Sequence, residues 1–153
     1  MPPKLTAFIR DPEQVLQRAQ REFEREHMKE TIELLEQALA LKADGAQLRT
    51  MLGIAYARTR QIDRAFEHLE RAVELAPDSF GPRCILGELY ARLGVPEKAR
   101  AELGRALECA TNAQERAYVQ SLLRDERARD RRRIYRPTFR PGGLFHRWRK
   151  RHS

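Results

Sequence analysis

Histidine and cysteine are the side chains of this sequence that could ligate a metal or attack a substrate: His27, His68, His146 and His152, with Cys84 and Cys109. A helical metal site needs two ligands at i and i+4, and a nucleophile needs a base within hydrogen-bond reach. None of the four histidines has such a neighbour in sequence, and all four are expected to be solvated surface residues. Two cysteines in 153 residues make neither a disulfide framework nor a zinc site, so both are expected to pack as small apolar side chains. The carboxylate pairs Glu22 and Glu26, and Glu67 and Glu70, fall at helical spacing in charge-rich segments. A solvated face is the expectation there, not an acid–base pair. Gly142-Gly143 follows Pro141 with no strand before it, which suits a flexible joint and not a phosphate loop. No catalytic residue, metal or cofactor is expected, and the chain reads as a non-enzyme.

Charge placement says more than its size. The chain carries 30 basic and 22 acidic side chains for a net +8, and Arg supplies 25 of the 30. Nine of them lie in residues 131–153, a stretch without one acid, so the other 130 residues hold 21 basic and 22 acidic groups and sum to −1. A near-neutral body is thus followed by a strongly basic end. No apolar stretch approaches the ~18 to 20 residues of a membrane-spanning helix. The first twelve residues, MPPKLTAFIRDP, lack the apolar core of a secretory signal, and a soluble, cytoplasmic protein is expected.

The elements follow from an internal period of 34. Leu35, Leu69 and Leu103 are 34 apart, as are Ala38, Ala72 and Ala106, and the small residues Thr31, Ala65 and Ala99. Ala19, Gly53 and Gly87 keep the same phase, and Leu52 with Leu86 and Tyr56 with Tyr90 extend it. Apolar residues at i, i+3, i+4 and i+7 make each unit two helices joined by a short turn. Asp11-Pro12 with Gln14 reads as an N-cap, a first-turn proline and a capping-box partner. Gly94 then Pro96 closes one helix and opens the next, and Pro77 ends another. Thr111 and Gln114 read as a further capping box, opening a helix to about residue 133. The small residues mark close approach, Gly53 or Gly87 against Ala65 or Ala99, with a continuous core that no single unit could bury alone.

These offsets resemble the tetratricopeptide repeat family, whose pattern places Leu-Gly, Tyr, Ala, Phe or Leu, Ala and Pro at fixed positions. The second unit has Leu52, Gly53, Tyr56, Ala65, Leu69, Ala72 and Pro77, with Arg49 where an aromatic is usual. The third keeps six of these, with Thr111 for the proline, and the first is degenerate, with Arg18 and Glu22 where Leu and Tyr are usual. The expected fold is all-α, a tetratricopeptide-like helical-hairpin solenoid of three 34-residue repeats with a capping helix and a flexible basic tail. Its expected boundaries are an N-terminal segment 1–11, repeats 12–45, 46–79 and 80–113, the capping helix 112–133 and the tail 134–153. In the capping helix Tyr118, Val119, Leu122 and Leu123 form an apolar stripe, expected to be core packing.

The resemblance implies a concave groove lined by the first helix of each unit, taking a partner peptide or helix. Its positions fall on Leu16, Gln20 and Phe23, on Thr50, Ile54 and Arg58, and on Cys84, Glu88 and Arg92. Arg58 and Arg92 are placed to meet partner acids. The clamp with which some relatives capture the acidic C-terminus of cytosolic chaperones would fall on Leu16, Gln20, Met51, Gly81 and Ile85, none charged, which disfavours that ligand. The chain is therefore expected to be a protein-interaction module or assembly adaptor. The alternative gives the main role to the tail, where Arg136, Arg140, Arg147, Trp148, Arg149, Lys150 and Arg151 interleave charge with rings, a pattern suited to RNA or an anionic membrane.

Overall fold

The computed structural model describes residues 11–132, and every regular element among them is an α-helix. The helices are α1 (Pro12–Glu24), α2 (Met28–Ala40), α3 (Ala46–Arg58), α4 (Ile62–Leu75), α5 (Phe80–Leu93), α6 (Pro96–Cys109) and α7 (Ala113–Arg132). The chain forms two compact units, one ending at His68 and one beginning at Leu69.

Local chemistry fixes the helix ends. Asp11 accepts from the Glu13 amide at 3.1 Å, and Pro12 occupies the first helical position, where no amide hydrogen is needed. Pro96 opens α6 in the same way. The turn from α1 to α2 and the turn from α5 to α6 both pass through a left-handed residue, Glu26 at φ 65° and Gly94 at φ 76°. Arg60, between α3 and α4, does the same at φ 65°. These three residues are 34 apart, and each corner is closed by the same pair of backbone bonds. In the first, Glu26 N–H donates to Phe23 O and His27 N–H to Glu22 O. Arg60 with Gln61 and Gly94 with Val95 repeat the pattern on Ala57 and Tyr56, and on Ala91 and Tyr90. This is the six-to-one and five-to-two closure of a helix C-terminus.

In the first unit α1 packs on α2, α2 on α3, and α1 touches α3. Val15, Ala19, Leu35, Ala38 and Leu52 are fully buried there, with Tyr56 at 1% exposure. In the second unit α5 packs on α6, and α7 lies on both. Leu69, Ala72, Leu103, Ala106 and Val119 are fully buried. Thr31, Ala65 and Ala99 have no exposed surface either, as the 34-residue phase requires.

Two expectations change in detail. Gly87 does bring α5 close to α6, with Leu103 as its nearest neighbour: a methyl group there would sit 2.8 Å from Leu103 Cγ and 3.1 Å from its backbone nitrogen. The start of α7 is set one residue later than the Thr111–Gln114 reading. Asn112 Oδ1 accepts from the Glu115 amide at 2.9 Å, and Glu115 Oε2 accepts from Thr111 N at 2.8 Å and Thr111 Oγ1 at 3.0 Å. Of the α7 stripe, Val119 is buried, and Tyr118, Leu122 and Leu123 are half-buried. The tail residues from Arg136 to Arg151, with His146 and His152, lie outside the described residues.

Candidate partner-binding surface

In the first unit the expected partner positions lie on α1 and α3. Leu16 and Gln20 are half-buried, and Gln20 Nε2 donates to Glu24 Oε1 at 3.4 Å. Phe23 at 2%, Thr50 at 2% and Ile54 at 0% exposure form a floor and not an open lining. The Thr50 hydroxyl is spent locally, donating to Ala46 O at 2.6 Å. Arg58 stays partly exposed, and its Nη2 meets Glu26 Oε1 at 3.3 Å.

In the second unit Cys84 is fully buried. Burial, with Glu88 and Glu115 nearby, pushes its thiol far above the ordinary cysteine range, so it is a packing group without nucleophilic character. Glu88 is also buried; it pairs with Arg92 one helical turn on and accepts from the Tyr118 hydroxyl of α7 at 3.3 Å. Burial first, and then the Glu88 charge, raises the Tyr118 phenol far above its usual range, so it remains a hydrogen-bond donor. The two arginines expected to await partner acids therefore already hold carboxylates of their own chain, and a partner must compete with Glu26 and Glu88.

A second polar set, invisible in the one-dimensional reading, occurs once in each unit. Tyr56 donates to Glu36 Oε1 at 2.7 Å, and Tyr90 donates to Glu70 Oε1 at 3.2 Å. Arg64 lies over the Tyr56 ring at 5.5 Å, and Lys98 lies over the Tyr90 ring at 5.4 Å. Arg49 reaches His68, with Nη1 to Nδ1 at 3.1 Å, and Arg83 reaches Glu102 at 3.1 Å. All five pairs of equivalent residues are 34 apart. Arg49 and Arg83, which stand where the family favours an aromatic, thus tie a first helix to the second helix of the same hairpin. Arg83 also donates to Pro77 O at 2.6 Å and is only 8% exposed. His68 corrects the expectation of a solvated histidine: it is 6% exposed and stacked on Tyr56 with ring centroids 5.4 Å apart. His27, by contrast, is exposed, and its Nδ1 lies 2.7 Å from Glu22, whose carboxyl is held below its ordinary value by that bond.

Among the described residues no three His, Cys, Asp or Glu side chains converge as a metal site, and no helix is long and apolar enough to cross a membrane. Residues 59–125 match the family described as tetratricopeptide repeat. Two solved structures are similar. MamA MSR-1 is 25% identical over 77% of this chain and 68% of its own, with a TM-score of 0.61. MamA AMB-1 is 25% identical over 77% of this chain and 64% of its own, with a TM-score of 0.62. The chain thus spans about two thirds of the length of these MamA proteins, and no curated protein matches it. The all-α hairpins thus have a tetratricopeptide-repeat-like fold, and the match over residues 59–125 together with the MamA likeness supports a protein-interaction or scaffold module.

Proposed function

We propose that this protein is a non-catalytic cytoplasmic adaptor, organised as repeats 12–45, 46–79 and 80–113 with a capping helix, that engages a peptide or helix of a partner protein through the first helices of its hairpins. The observation that supports this reading is the tetratricopeptide-repeat match over residues 59–125, a stretch in which α5 would be the groove-lining helix. In the first unit a partner would meet the half-buried Leu16, Gln20 and Arg58 over the floor of Phe23, Thr50 and Ile54. In the second it would meet Arg92 over Cys84 and Glu88. A partner carboxylate can replace Glu26 on Arg58 at little cost, because exposed ion pairs contribute only about 0 to 1 kcal/mol.

The test compares proteins recovered on the full chain with those recovered on an Arg58→Glu, Arg92→Glu variant, with helicity checked by circular dichroism. Loss of one anchor at an interface hot spot often costs about 2 kcal/mol or more. Selective loss of a partner from a variant of unchanged helicity is expected, and equal recovery would move the site away from these helices.

The clustering of nine basic residues in 131–153 favours a second reading, in which residues 134–153 bring the protein to RNA or an anionic membrane. Removing 134–153 separates the two, since groove partners survive that deletion and tail partners do not. Binding of the full chain to single-stranded RNA would fall steeply with salt through counterion release.

A further inference from the structure

His68 is held on Nδ1 by Arg49 and faces Glu36 on its other ring nitrogen, from two different helices. Arg49 on α3 donates from Nη1 to His68 Nδ1 at 3.1 Å, so Nδ1 carries no proton and the hydrogen of the neutral ring sits on Nε2. That nitrogen lies 3.5 Å from Glu36 Oε1 on α2, the same oxygen that accepts from Tyr56. Arg49 cannot simply turn away. Its other edge is gripped by Asp44, with Nε to Oδ1 at 2.7 Å and Nη2 to Oδ2 at 3.0 Å. The neutral imidazole thus joins α4 to α3, and Glu36 of α2 stands within reach of its Nε2, an ion pair only if the ring is protonated.

A proton on Nδ1 removes the acceptor that Arg49 uses and sets a second cation against its guanidinium, in a site that water barely reaches. The groups facing the ring are Glu36 from α2, Arg49 and Tyr56 from α3, and Arg64 and Glu67 from α4 itself. Two carboxylates and two guanidiniums offset each other, so burial decides. It holds the imidazole below its ordinary 6.5, with Arg49 and Arg64 acting in the same direction and Glu36 and Glu67 opposing.

The second unit has the equivalent arginine, held by Pro77 O at 2.6 Å in place of an aspartate. Glu102 stands where His68 stands, and it pairs with Arg83 at 3.1 Å. That pair contains no imidazole.

We propose that the Asp44–Arg49–His68 bracket is a proton-operated latch: neutral His68 fastens α4 to α3 through Arg49, and protonation in mildly acidic solution releases that bond, while the Arg83–Glu102 pair of the second unit stays closed. The latch grips the Arg49 and Tyr56 side of α3, so its opening loosens the helix that also presents Thr50, Ile54 and Arg58. It stands whether or not that face binds a partner.

Hydrogen exchange of the full chain, followed by mass spectrometry at about pH 7.5 and about pH 5.5 with intrinsic rates corrected, reads the latch directly. Peptides from α3 and the start of α4 are expected to lose protection several-fold on acidification, and peptides from α5 and α6 to keep theirs. His68→Glu, which copies the second unit, and His68→Gln, which stays neutral, are both expected to abolish the difference. An equal response of the two units, or a first-unit loss that persists in either variant, overturns the proposal. Should neither variant fold, the imidazole of the unmodified protein decides by nuclear magnetic resonance: a midpoint at or above 6.5 overturns the latch, and a lower one supports it.

Discussion

Gly87 and Gly104 are the same residue type in adjacent helices, with opposite physical meaning. A methyl group at Gly87 meets Leu103 Cγ at 2.8 Å, Cδ2 at 2.9 Å and the backbone nitrogen at 3.1 Å, whereas one at Gly104 meets nothing within 4 Å. The leucine tip can rotate, but the backbone of α6 cannot move without disturbing its own ladder. Overpacking of this kind costs about 1 to 3 kcal/mol, so Gly87→Ala is expected to lower the urea midpoint. Gly104→Ala removes a glycine from the interior of α6 and is expected to gain up to about 1 kcal/mol, raising the same midpoint. Shifts of equal sign would show that helix propensity alone governs both sites. The 34-residue phase already marked Gly87 as a contact position. It could not name Leu103 as the neighbour, because that depends on how far one helix slides along the other.

At the scale of elements, helix ends were legible where one residue type dictates the backbone, as at Pro12, Gly94 and Pro96, and less so where two signals overlap. The segment Thr111-Asn112-Ala113-Gln114-Glu115 contains two capping patterns one residue apart. The chain leaves α6 through an extended Ala110 at ψ 125°, and Asn112 then becomes the cap of α7. Asn112→Ala is expected to cost about 0.5 to 2 kcal/mol and to fray the start of α7, read as a lower melting temperature. Thr111→Ala leaves the Asn112 cap in place and should cost less; the reverse order would restore the earlier start. The polar brackets were not legible, since their members lie 19 or 20 residues apart on different helices and meet only once those helices are packed. His68 was harder still. The residues at its position in the other units are Leu34 and Glu102, apolar and acidic, so the period carries no consistent signal there.

For the whole molecule, His68 fixes the sign of one part of the pH dependence. Its folded-state value lies below the ordinary 6.5, so as pH falls the unfolded chain takes up the proton first. The stability it contributes is fully present above 6.5 and is lost as pH falls from there through the lower folded-state value. Melting temperatures measured at about pH 7.5 and about pH 5.5 should therefore drop on the acid side, with a smaller drop in His68→Gln. An equal drop in the variant would assign the effect to other groups. The left-handed corners at Glu26, Arg60 and Gly94 have a consequence for mutational tolerance across the chain. In a library of all single substitutions selected for folded protein, these three surface positions should behave as one class despite sharing no chemistry. Glycine should be enriched at residues 26 and 60 and asparagine tolerated, with β-branched residues depleted at all three, since a left-handed backbone costs a non-glycine residue about 1 to 2 kcal/mol. Residue 60 should show the glycine preference more cleanly than residue 26, where the Glu26 carboxylate is also held by Arg58.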